Sequence, residues 1–183
     1  MNDPAFLAVD LSEDDRHALS AALAEASPGA PIPGKKPPPE KWHFTLRYLG
    51  ECTDVQAEQI VHHLSEAVDE ESRRVWCNGL GAFPRASKAG VVYASVDDPS
   101  GILRYLAAVC DEAATDAGFE SEGRPYVPHL TLSRLRPGQD VRSLFAGYGE
   151  FRVPIVVGGI TLFRTRQTRG GPRYDPIDTV PLP

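Results

Sequence analysis

The four-residue word His43-Phe44-Thr45-Leu46 returns as His129-Leu130-Thr131-Leu132, about half a chain length further on, in a sequence of 183 residues with only 5 histidines. Successive side chains of a strand point to opposite faces. Each copy therefore predicts a strand backed by Phe or Leu that presents an imidazole and a hydroxyl side by side. Facing each other, two such strands place two imidazoles and two hydroxyls around a pocket of phosphate size. The spacing marks a degenerate internal duplication, because solenoid repeats have shorter periods.

The flanking segments repeat the same plan. Residues 5–10 read as a short buried strand, and Ser12 as the N-cap of an Ala/Leu-rich helix running to about Ala26. Residues 27–39 are rich in proline and predict a loop with neither helix nor ladder strand. The first motif strand follows at about 42–49. Thr53 caps a second helix with Val55, Ile60, Leu64 and Val68 as its apolar positions. A strand pair is expected at 74–83 and 90–96. In the second half, Pro99-Ser100 opens a helix whose inner face is Ile102, Leu103, Leu106, Val109, Cys110 and Ala113. A polar loop from Glu120 to Pro128 then leads to the second motif strand at about 129–135. A short helix near 140–147, strands at 151–157 and 159–164, and an extended or irregular segment at 174–180 complete the chain. The interspersed short strands and helices favour an α+β fold with largely antiparallel sheets.

Composition narrows the partners. The hydrophobic fraction of 42% and charged fraction of 24% are ordinary for a globular protein. No apolar run reaches membrane-spanning length. The start Met1-Asn2-Asp3-Pro4-Ala5 lacks the features of a secretory signal. Cys52, Cys77 and Cys110 show no CxxC spacing, so no disulfide framework or zinc site is indicated, and the cytoplasm is the expected compartment. A net charge of −6 argues against sequence-independent coating of nucleic acid. A local basic site remains open, because Lys35, Lys36, Lys41 and Arg47 flank the first motif and Arg124, Arg134 and Arg136 the second. Arg164, Arg166, Arg169 and Arg173 follow near the C-terminus.

Transfer at a ribose cyclic phosphate needs a base for the attacking oxygen, an acid for the departing one, and donors for the non-bridging oxygens. Attack and departure lie on opposite sides of phosphorus, so acid and base must face each other across it. Histidine titrates near neutrality, which lets one neutral and one protonated imidazole coexist. Thr45 and Thr131 are placed to donate to phosphoryl oxygens, and Arg134 to neutralise developing charge. No metal-ligand spacing occurs near either motif. The other histidines, His17, His62 and His63, fall in predicted helices and read as solvated surface.

The chain resembles the two-histidine phosphoesterase superfamily, and within it the RNA 2′,3′-cyclic phosphodiesterases, also called 2′-5′ RNA ligases. The resemblance runs through residues 6–11, His43 to Glu51, Gly81-Ala82-Phe83-Pro84, Pro128 to Arg134, Ile160 to Phe163, and Pro172-Arg173-Tyr174. It implies one domain over residues 1–183, made of two intertwined lobes with pseudo-twofold symmetry. One motif (43–46 and 129–132) lies in each lobe, lining a central cleft, with helices packed outside. It further implies His43 as proton donor to the leaving 3′ oxygen, His129 as acceptor from water, Arg134 on the phosphate and Tyr48 stacked on the base. The symmetric motif does not by itself decide which histidine is acid. One departure is the loop Glu120-Ser121-Glu122, acidic where a polyanion is to bind.

The resulting expectation is a monomeric enzyme without cofactor or metal. It hydrolyses 2′,3′-cyclic phosphate ends of RNA to 2′-phosphates, with reversible 2′-5′ ligation as a side reaction. Phosphodiesterase action on small cyclic phosphates of nucleotides or ADP-ribose is the alternative, and a non-catalytic nucleotide- or RNA-binding module is a third reading.

Overall fold

The computed structural model describes residues 3–183. In chain order the elements are β1 (Pro4–Asp10), α1 (Glu13–Ala26), β2 (His43–Glu51), α2 (Asp54–Ala67), β3 (Arg73–Phe83) and β4 (Ala89–Asp97). They continue with α3 (Ile102–Asp116), β5 (His129–Gln139), α4 (Arg142–Gly147), β6 (Val153–Val157), β7 (Gly159–Thr168) and β8 (Gly171–Pro181). The strands form two four-stranded sheets, ordered β2-β1-β7-β8 and β5-β4-β3-β6. All strand pairs are antiparallel. The fold is α+β and bilobal, with each motif strand at the edge of its own sheet.

Local chemistry sets the helix starts. Ser12 accepts from the Asp15 amide at 3.1 Å, and Thr53 and Gln56 close a reciprocal capping box, each such cap contributing about 1 kcal/mol. The third helix differs from expectation. Its first amides, Ile102 and Leu103, donate to the Asp98 carboxylate at 3.0 and 2.9 Å, so the acid ahead of Pro99-Ser100 carries the cap. Gly101 supplies the left-handed turn, at φ 73°. Val55 is also misplaced by the periodicity, being 64% exposed, while Ala57, Ile60 and Leu64 form the inner face of α2. Residues 174–180 are not irregular but belong to β8, the partner of β7 along its whole length.

The helices are exchanged between the sheets. Helix α1 leaves the first sheet and lies on β6 of the second, whereas α3 leaves the second sheet and lies against α2 and β2. One continuous apolar cluster results, joining Leu7, Phe44 and Leu162 of one sheet to Val75, Leu130 and Ile155 of the other through Leu103 and Leu106. Phe44 is fully buried, and burying such a side chain is worth roughly 1.5–3 kcal/mol. The apolar half of the motif therefore anchors the strand and fixes which face its histidine takes.

Candidate active site

Cross-strand pairing shows which side chains share the face of His43. Asp10 pairs with His43, Ala8 with Thr45, and Phe6 with Tyr48, while Leu7 pairs with Arg47. Leu46 is an extra residue in this ladder, a β-bulge. Paired residues project to the same side of a sheet. Thus His43, Thr45 and Tyr48 face one way, and Arg47 joins Phe44 on the core side. Simple alternation would have grouped Arg47 with the histidine.

The second copy repeats this register residue for residue. Ser95 pairs with His129, Tyr93 with Thr131 and Val91 with Arg134, and Leu132 is the extra residue. Both copies thus bulge at the last position of the word. The bulge brings Arg134, an odd number of positions beyond His129, onto the imidazole face. It does the same for Tyr48, which is 57% exposed on that face.

The histidines are held alike. His43 Nδ1 lies 2.8 Å from the Lys41 carbonyl, and His129 Nδ1 lies 2.7 Å from the Val127 carbonyl. A carbonyl only accepts, so each Nδ1 carries the proton and each Nε2 is left for chemistry. His43 Nε2 is 3.0 Å from Thr45 Oγ1. Around His43 stand Phe6 and Tyr174, with ring centroids 5.0 and 5.6 Å away. Phe83 and Tyr93 flank His129 at 5.0 and 5.4 Å. These aromatic walls carry no chemical motif, and sequence reasoning missed them as site residues; Phe6, Phe83 and Tyr174 lie within the stretches that carry the family resemblance.

Burial shifts both imidazoles the same way. Burial lowers the basicity of His43 below the ordinary 6.5, reinforced by Arg134 and His129 and opposed by the Lys41 carbonyl and Asp10. Burial likewise lowers His129, reinforced by Arg134 and opposed by the Val127 carbonyl. Strands β2 and β5 lie against each other, which brings the two motifs to one cleft. The carboxylate beside His43 has the hydroxyl of Ser95 as its counterpart beside His129. The charge of Asp10 thus partly offsets the lowering of His43.

Several basic residues near the motifs serve other ends. Arg47 Nε binds Asp111 at 2.9 Å and its guanidinium also donates to the Glu120 carbonyl. Arg164 is buried and donates to the Cys52 carbonyl and Asp54. Arg166 and Arg173 both bind Asp175, each at 2.7 Å, on the face of β7–β8 opposite Tyr174. Lys41 donates to the Pro172 carbonyl. His63 is not simply solvated surface, for its Nδ1 lies 2.9 Å from Asp116. That pair lines a largely apolar groove of about 530 Å³ between α2 and α3, remote from both motifs. Among the described residues no group of three or more His, Cys, Asp or Glu side chains forms a metal-ligand set.

Each motif strand offers one imidazole and one threonine hydroxyl from matched positions, and β5 adds Arg134 on the same face. The family model of the 2′-5′ RNA ligase superfamily matches residues 35–169, and the chain belongs to that superfamily. Among its relatives, the RNA 2′,3′-cyclic phosphodiesterase of Aeropyrum pernix is 32% identical over 84% of this chain and 89% of its own. The enzyme of the same name from Methanothermobacter thermautotrophicus is 30% identical over 97% of this chain and 98% of its own. In fold, the chain is similar to E. coli LigT complexed with 3′-AMP, with a TM-score of 0.79 at 22% identity, covering 100% of this chain and 99% of that one.

Proposed function

We propose that this protein is an RNA 2′,3′-cyclic phosphodiesterase that opens the cyclic phosphate at an RNA 3′ end to leave a 2′-phosphate. The observation that carries the reading is the matched pair of imidazoles, each with Nδ1 held by a carbonyl and Nε2 left to the cleft. In the reaction, His129 Nε2 takes a proton from water as its oxygen bonds to phosphorus. The bond from phosphorus to the 3′ oxygen breaks, and His43 Nε2 gives that oxygen its proton. Thr45 and Thr131 donate to the non-bridging oxygens, Arg134 balances their charge, and Tyr48 supports the terminal base by stacking. Asp10 beside His43 supports the donor assignment, because it favours the protonated imidazole.

Both motifs come from one chain, which supports action as a monomer. Its three cysteines are free and buried, which fits the cytoplasm. No helix among the described residues is long and apolar enough to cross a membrane.

The test is turnover of an oligoribonucleotide bearing a 2′,3′-cyclic phosphate, with the 2′- and 3′-phosphate products separated. The 2′-phosphate should form, and His43→Ala or His129→Ala should each lower kcat by about 10²–10⁴-fold. Wild-type rates in either variant, or a 3′-phosphate product, would overturn the mechanism.

A further inference from the structure

We infer that Lys35 forms a second phosphate contact, which reads the phosphodiester on the 5′ side of the terminal nucleotide and so distinguishes an RNA end from a free nucleoside cyclic phosphate. This rests on the reading of the site as one for RNA cyclic phosphates. The proline-rich loop ahead of β2 lies against β5 and pairs with it at Lys35. There the Lys35 amide donates to the Arg134 carbonyl at 2.9 Å and the Arg134 amide donates to the Lys35 carbonyl at 3.0 Å. Two residues that exchange both bonds form an antiparallel pair, with side chains adjacent on one face, about 5.5 Å apart at their origins. That face is the one carrying His129 and Thr131. Lys35 therefore projects beside Arg134 along the rim of the cleft.

The loop is held to this position. Gly34 has φ 98°, and a methyl group there would lie 2.5 Å from the Arg134 carbonyl oxygen and 2.6 Å from Ser133 Oγ. Ser133 Oγ also donates to the Pro33 carbonyl at 2.5 Å. Only glycine fits, and its fit presses the neighbouring lysine against β5. Both Lys35 and Arg134 are exposed, and neither has an ion-pair partner among the described residues. Lys41 and Arg47, by contrast, are engaged elsewhere. Arg134 shares the face of His129 and Thr131, which assigns it to the terminal phosphate and leaves Lys35, bridged to it on the free edge of β5, for the next one.

An exposed ammonium beside Arg134 attracts a phosphodiester along that side. The acidic balance of the chain as a whole does not oppose this, since exposed charges act over about 8 Å at physiological salt.

The experiment compares kcat/KM for three substrates: adenosine 2′,3′-cyclic phosphate, an adenosine dinucleotide ending in the same group, and that dinucleotide with a neutral methylphosphonate link. The wild type should favour the charged dinucleotide over its neutral-linked form by about tenfold, the scale of one charge-assisted contact. Lys35→Ala should bring that ratio close to one and make the salt dependence shallower by a slope of about 0.7. Lys35→Arg should preserve the ratio, and Gly34→Ala, which dislodges the loop without touching a charge, should lose it. An unchanged ratio in Lys35→Ala, equal losses on all three substrates, or a wild type indifferent to the link would overturn the role of Lys35. A wild type that turns over none of the three would instead sink the underlying reading of the site.

Discussion

His43 and His129 differ in the charge of the residue that pairs with each across the strands. Asp10 occupies the cross-strand position beside His43 and is held by Arg16, whereas Ser95 stands beside His129. Because burial holds both imidazoles below 6.5, the kcat/KM profile of the free enzyme should be a bell whose alkaline limb lies below that value. Asp10→Asn removes a charge that favours the imidazolium, so the pKa of His43 falls further. If His43 is the acid, the alkaline limb moves to lower pH. Movement of the acid limb alone would make His43 the base and reverse the proton's path. The pH profile of this single variant thus supplies the direction that the symmetric motif withholds.

At the scale of the element, the bulges explain what was legible in the sequence. Alternation alone groups His43 with Thr45, and His129 with Thr131, and the ladders agree. Alternation misassigns Arg47 and Tyr48 after Leu46, and Ser133 and Arg134 after Leu132, because one unpaired residue reverses the parity and no residue type announces it. Arg134 was therefore recognisable by its chemistry and its family position, not by its spacing. The bridge of Lys35 to β5 was likewise hidden, since composition marks residues 27–39 only as a loop. Strands β3 and β4 hold a further site element. A methyl group on Gly81 would come within 2.4–2.5 Å of the Tyr93 ring atoms. Gly81→Ala should push that ring away from His129 and lower kcat/KM by roughly 10–100-fold, with the urea midpoint changing little. A large loss of stability with normal kcat/KM would show Gly81 to matter for packing alone.

Across the whole molecule, the residue that follows each bulge binds the loop ahead of the other motif. Ser133 donates to the Pro33 carbonyl, and Arg47 to the Glu120 carbonyl. Tyr126 adds a third tie, donating to the Thr45 carbonyl at 3.0 Å. Asp111 centres the second tie, accepting from Arg47 Nε at 2.9 Å, Ser121 Oγ at 2.6 Å and the Glu122 amide at 2.8 Å. Burial alone would raise this carboxyl, but those hydrogen bonds outweigh it and hold it below the ordinary 3.8. Its contribution to stability is complete above that value and disappears as pH falls through the depressed one. Asp111→Asn should accordingly lower the urea midpoint at pH 7 and narrow its difference from wild type as pH drops below about 3.9. A gap that stays constant with pH would place the effect outside ionisation.

The strand order of the first sheet, β2-β1-β7-β8, has a consequence for synthesis on the ribosome. The wall behind His43 includes Tyr174 of β8, which is made long after β2. His43 and its strand are made early, yet they wait for β7 and β8 before their sheet can close. The second sheet, by contrast, is complete once β6 has been made. A copy cut before β7 would carry both histidines but lack the strand that pairs with β1 and the ring of Tyr174 beside His43.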